Sequence, residues 1–269
     1  MAVTGFQADV LRLLAAARRA RGESYVAGGV ALNRLLSTPR RSRDIDLFHD
    51  TQEALAASWE ADCQLLRTSH CEVRVLREAP SFVEAMLVRG EERTVMQWAR
   101  DSAFRFFPLI EDELMGLALH PFDLATNKVL AAAGRLEVRD WVDVLNCDER
   151  LQPFGYLVWA ACGKDPGYNP QSLLAAARRL HYSQMEVEAL DFEGTPPAAA
   201  DLGQRWHAAL DGAAEACELL PAREVGRCVV THRAELFQGD AAALAAALAR
   251  GDIRFHAGRI GGSWPPVVA

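Results

Sequence analysis

Residues 24–48 read Ser24-Tyr25-Val26-Ala27-Gly28-Gly29-Val30-Ala31-Leu32, then a polar loop from Ser37 to Ser42 that contains Pro39, then Arg43-Asp44-Ile45-Asp46-Leu47-Phe48. The first four residues predict a short buried strand, cut by two glycines. Val30, Ala31, Leu32, Leu35 and Leu36 then take helical spacing. A strand, a glycine pair and a helix start make a turn where backbone N–H groups can approach a phosphate, although ordinary tight turns share the pattern. Asp44 to Phe48 alternates with period two, so Asp44 and Asp46 project from one face while Ile45 and Leu47 project from the other. Two carboxylates side by side repel each other. A divalent cation between them removes that cost, and hard oxygen ligands suit Mg²⁺.

Upstream, Val10, Leu11, Leu13, Leu14 and Ala17 give an amphipathic helix over 7–20 that Gly22 ends. Downstream, 51–68 is helical, and strands are expected over 72–76, 82–88 and 93–99, with Arg89-Gly90-Glu91-Glu92 as a hairpin turn. Residues 123–133 and 137–147 read as two helices parted by Gly134, the first capped by Asp123. Further helices are expected near 171–180, 204–220 and 240–250, with a linker over 191–203. This is an α+β chain, with a small mixed β-sheet domain over 1–120 and a mainly helical domain over 121–269.

Composition narrows the function classes. The 269 residues are 50% hydrophobic and 24% charged, enough for a sizeable core. Lys+Arg of 29 against Asp+Glu of 36 gives a net charge of −7, which disfavours a general nucleic-acid coat but not a local basic patch. Arg40, Arg41 and Arg43 form such a patch beside the carboxylates, open to steering a triphosphate or an RNA end, or to solvating the loop. The six cysteines show no CxxC pair or zinc spacing and are read as reduced core thiols. The start after Met1 is polar, and the apolar runs fall short of the ~20 residues that span a bilayer, so a cytoplasmic protein is expected.

The segments Val26 to Leu32 and Ser42 to Phe48 resemble the signature of the DNA polymerase β-like nucleotidyltransferase superfamily. Asp123-Leu124-Ala125-Thr126-Asn127-Lys128, Gly134-Arg135 and Arg139-Asp140-Trp141-Val142-Asp143 resemble its AbiEii/AbiGii toxin branch. Lysine is scarce in this chain: Lys128 and Lys164 stand among 27 arginines, so a lysine at 128 points to a need for a compact ammonium. Asp140 and Asp143 share one helical face.

The resemblance implies a nucleotidyltransferase core and a Mg²⁺-dependent transfer of a nucleoside monophosphate from an NTP to a hydroxyl. In that reading Gly28 and Gly29, with Ser42 and Arg43 beside them, bind the nucleotide phosphates, and Asp44 and Asp46 hold the metal. Lys128 contacts the triphosphate, and Asp143, with Asp140 as its rival, completes the active site. Ser42 also falls where related toxins carry a hydroxyl that phosphorylation can silence.

The resemblance further implies a toxin–antitoxin toxin, with the tRNA 3′ end as acceptor and a cognate antitoxin as partner. Transfer to a protein or to a small molecule such as an antibiotic is the alternative. So is a silent nucleotide-binding module, because the strand Thr94 to Trp98 offers Gln97 where many superfamily members place a third acid.

Overall fold

The computed structural model describes residues 3–267. The chain forms two compact units, one of residues 1–103, 109–120 and 191–194, the other of residues 104–108, 121–190 and 195–269.

In the first unit, α1 (Gly5–Arg21), β1 (Ser24–Ala27) and α2 (Gly28–Leu35) lead into β2 (Asp44–His49) and α3 (Gln52–Thr68). The hairpins β3 (Glu72–Ala79), β4 (Phe82–Arg89) and β5 (Glu92–Arg100) follow. After β6 (Phe104–Arg105), which belongs to the second unit, the chain adds β7 (Ile110–Asp112) and β8 (Gly116–Ala118). The seven-stranded sheet has the order β3-β4-β5-β2-β1-β8-β7. β2 runs parallel to β5 and β1 parallel to β8, and the other neighbours are antiparallel.

The strands β7 and β8 leave no mark in the sequence, because three residues are too few to show an alternation. Their place beside β1 is set by distant contacts. Leu119 N donates to the Val26 carbonyl at 3.0 Å, and buried Arg18 at the end of α1 donates to the Met115 carbonyl and to the Ser24 hydroxyl. Burial lowers the Arg18 pKa to about 10.

The second unit contains α4 (Pro121–Arg135), α5 (Val138–Arg150), α6 (Phe154–Ala161), α7 (Pro170–Ala177), α8 (Gln184–Glu188), α9 (Ala199–Leu219), β9 (Arg227–Thr231), α10 (Ala241–Arg250), β10 (Ile253–Ala257) and β11 (Arg259–Ile260). β9 pairs with β10 and β6 with β11, both antiparallel. Every residue of α6 is buried. It crosses α9 closely at Gly155, where a Cβ would stand 2.9 Å from the Ala213 Cα, so a larger residue would push the helices apart.

Three expectations differ from the structure. Gly134 does not part the helices but lies inside α4, and the break falls at Leu136, which takes φ 54°. Asp123 is not an N-cap. It sits within the first turn of α4, fully buried, where it accepts from the Phe106 and Phe107 amides at 2.9 and 3.0 Å and pairs with Lys164 at 2.8 Å. The expected linker over 191–203 ends earlier, because α9 starts at Ala199, and its first residues are held: Arg41 N donates to the Asp191 carbonyl at 2.8 Å and Glu193 N to the Pro39 carbonyl at 2.7 Å.

Asp123→Ala takes from the Lys164 ammonium its carboxylate partner and from two buried amides their acceptor, and is expected to cost about 3–5 kcal/mol of stability. Urea denaturation measures this; a loss below about 1 kcal/mol would show that the Lys164 pair does not hold the unit together.

Candidate active site

In the first unit the glycine turn and the acidic strand meet directly. β1 and β2 pair with Ala27 opposite Asp46, which brings the next residue, Gly28, against the Asp46 side chain. A Cβ on Gly28 would lie 1.7 Å from Asp46 Oδ2, and Gly28 takes φ 62°, so any other residue is both strained and obstructed there. Gly28 opens α2, and no side chain caps that helix end. Helix N-termini present N–H groups and a partial positive charge, which favour anions. Next to it, a Cβ on Gly29 would come within 2.8 Å of both the Ser42 hydroxyl and an Arg40 guanidinium nitrogen. Thus Gly28, Gly29, Ser42 and Asp46 gather at one end of β1, with Arg40 buried among them.

Asp44 and Asp46 lie on the half-buried face of β2, whereas Ile45, Leu47 and His49 are buried on the other. His49 therefore does not approach the carboxylates. Its Nδ1 pairs with the Ala99 carbonyl at 3.2 Å, and burial lowers its pKa to about 4.

Contacts far apart in sequence hold the loop that leads into β2. Buried Gln7 of α1 donates to the Ser42 and Arg43 carbonyls at 3.0 and 3.1 Å. The Asp191–Gly194 segment holds Pro39 and Arg41 through the backbone bonds given above. Arg43 itself is exposed. The sequence carries no local sign of the part played by Gln7, and it marks Arg40 only as one of three arginines beside the carboxylates.

Gln97 stands directly across from Asp46 in the parallel β2–β5 ladder. Across from Gln97, on β4, stands Glu84, and Gln97 Nε2 donates to Glu84 Oε1 at 2.8 Å. The face that carries Asp44 and Asp46 thus does include a further carboxylate, one strand beyond the position the sequence suggests. Because a carboxylate only accepts, the bond turns the Gln97 amide nitrogen toward Glu84 and leaves Oε1 as an acceptor. An acidic residue in the middle of the apolar run Phe82 to Val88 was the available signal.

In the second unit α4 and α5 bring together Lys128, Asp140 and Asp143. Lys128 Nζ lies 2.8 Å from an oxygen of each carboxylate, and Arg135 reaches Asp140 at 3.0 Å. Both aspartates are fully buried and Lys128 nearly so. This is no loose surface pair: removing one member leaves an uncompensated buried charge.

The aspartates of β2 fit a hard divalent cation. Among the described residues no cluster of three His, Cys, Asp or Glu could hold a metal, which sets aside an all-protein cage. Mg²⁺ is commonly bound by one or two carboxylates together with substrate phosphates and water. Two acids on one face, packed against an uncapped helix N-terminus, supply that donor set.

The architecture is the nucleotidyltransferase fold. MenT4, the nucleotidyltransferase toxin Rv2826c from Mycobacterium tuberculosis H37Rv, is similar with a TM-score of 0.52 and 18% identity, over 81% of this chain and 86% of that one. JHP933 from Helicobacter pylori is similar with a TM-score of 0.51 and 11% identity, over 80% of this chain and 95% of that one. At these identities the likeness is one of fold. No family model and no curated protein matches the sequence.

The His49 environment makes stability depend on pH. In the unfolded chain its imidazole takes up a proton near pH 6.5, whereas the folded chain resists protonation down to about pH 4. Stability therefore falls as pH drops through that window, by up to about 3 kcal/mol, and His49→Gln removes that part of the slope. Urea denaturation at several pH values compares the two, and parallel slopes would contradict the assignment.

Proposed function

We propose that the protein is a Mg²⁺-dependent nucleotidyltransferase that moves a nucleoside monophosphate from an NTP to an acceptor hydroxyl. In this reading it is the toxin of a toxin–antitoxin pair, and the tRNA 3′ end is its acceptor. The observation that carries the transfer reading is the contact of the Asp44/Asp46 face with the Gly28-Gly29 turn, a carboxylate pair set against a phosphate cradle. The fold shared with a nucleotidyltransferase toxin supports the toxin role. No helix among the described residues is long and apolar enough to cross a membrane.

In the proposed reaction, the opening amides of α2 receive phosphate oxygens, and Arg40 and Ser42 lie beside them. Asp44 and Asp46 hold the cation, which supplies positive charge against the triphosphate and the departing pyrophosphate. Gln97, oriented by Glu84, accepts a hydrogen bond from the acceptor hydroxyl and aims its oxygen, and Glu84 is the nearby carboxylate able to take up the proton. Transfer also requires Lys128, as the ammonium for the triphosphate, and Asp143, with Asp140 beside it. A phosphoryl group on Ser42 would place negative charge at the cradle and oppose NTP binding.

The test supplies each of four α-labelled nucleotides in turn, with Mg²⁺ and total bacterial RNA, and separates RNA from protein. Wild type is expected to label small RNA, and Asp44→Ala to abolish the label while keeping its thermal transition. Label in the protein fraction or on an added antibiotic would replace the acceptor, and nucleotide binding without any label would favour a silent binding module.

Glu84→Gln is expected to lower kcat for transfer about tenfold to a hundredfold with little change in the KM for NTP. An unchanged kcat would remove Glu84 from the mechanism. For Lys128→Ala the thermal transition must be read beside activity, because this change also takes the shared ammonium from two buried carboxylates.

A further inference from the structure

In the second unit, β10, the turn at Gly258 and the chain from Ser263 to Pro266 line a cavity of about 510 Å³. That volume lies within the range of about 300–1,000 Å³ common to small-ligand sites. Its wall includes Val230, Arg254, His256, Arg259, Trp264 and Pro265, and no lining residue is acidic. In a chain of net charge −7 this is a locally positive site.

Trp264 keeps 61% of its surface exposed although it is firmly mounted. Its ring packs on Phe107 at 5.8 Å, and Phe107 packs on His256 at 5.3 Å. His256 Nε2 donates to the Phe106 carbonyl at 2.8 Å, and Ser263 N donates to the same carbonyl at 3.1 Å. The arginines are fixed as well. Arg254 Nη1 donates to the Gly251 and Ile253 carbonyls at 2.9 and 3.2 Å, and Arg259 Nε to the Gly262 carbonyl at 3.3 Å. Those bonds orient the guanidinium groups without neutralising them: among the described residues neither has a carboxylate partner.

We propose that this cavity binds single-stranded RNA, with a base stacked on Trp264 and neighbouring phosphates on Arg254 and Arg259. Any base can stack on an indole, and guanidinium groups match phosphate oxygens, so aromatic and cationic groups together select a nucleotide chain. An apolar peptide could use the indole but would leave the two guanidinium groups without an anion. The choice of RNA rests on the proposed transfer reaction, in which RNA is the acceptor.

Fluorescence anisotropy with a short fluorescein-labelled single-stranded RNA, without NTP, tests the site. Wild type is expected to bind. Trp264→Ala should weaken binding about tenfold, and Trp264→Phe should restore most of it. The double variant Arg254→Ser/Arg259→Ser should lower the slope of log K against log salt by about 1.4, because each phosphate neutralised on a single strand accounts for about 0.7.

No binding by wild type, or equal binding by the tryptophan and arginine variants, overturns the proposal. So does a peptide that competes fully with the RNA. Asp44→Ala serves as the separating control. If wild type binds RNA yet transfers no label, the transfer reading fails while the RNA site stands; label still transferred by Asp44→Ala would remove only the metal assignment.

Discussion

The pleat of β2 constrains the first unit most tightly. Ile45, Leu47 and His49 are buried on one face, so Asp44 and Asp46 must emerge on the other. A slip of one residue would bury the carboxylates and expose the apolar side chains, at a cost no local contact could offset. With the register held, pairing of Ala27 with Asp46 brings the chain's tight turn onto the acidic strand, and only glycine fits at 28. The polar site is therefore a consequence of how the apolar face is packed.

Lysine usage shows a second constraint. Arginine serves nearly every exposed cationic position, while both lysine side chains pair with fully buried aspartates, Lys128 with Asp140 and Asp143 and Lys164 with Asp123. An ammonium presents a compact charge that can sit between two helices where a planar guanidinium needs more room. The scarcity of lysine singles out Lys128 and Lys164 alike, but which aspartates they pair with is decided by the packing of distant segments. Asp123 reads locally as a helix cap because aspartate favours that position, but its carboxylate instead anchors the Phe106 and Phe107 amides.

All six cysteines are buried free thiols, and burial raises the pKa of each. They behave as core side chains rather than nucleophiles, in keeping with their lack of any motif. Trp98, Phe106 and Phe107 are likewise core residues. The exposed indole is Trp264, in a tail whose glycines and prolines give no periodic signal.

What could be read directly from the amino acids is whatever repeats over a few residues. The alternation at 44–48, the glycine pair before a helical stretch, and the i,i+3 spacing of Asp140 and Asp143 are local patterns, and they led to the acidic face and the helix pair. The insertion of β8 beside β1, the grip of Gln7 on the loop before Asp44, the return of Asp191–Gly194 to Pro39 and Arg41, and the placing of Glu84 against Gln97 are not local. Each depends on hydrogen bonds between groups far apart along the chain. No short-range period encodes such pairing, because the partner is chosen when the sheet and the helices bury their apolar faces together.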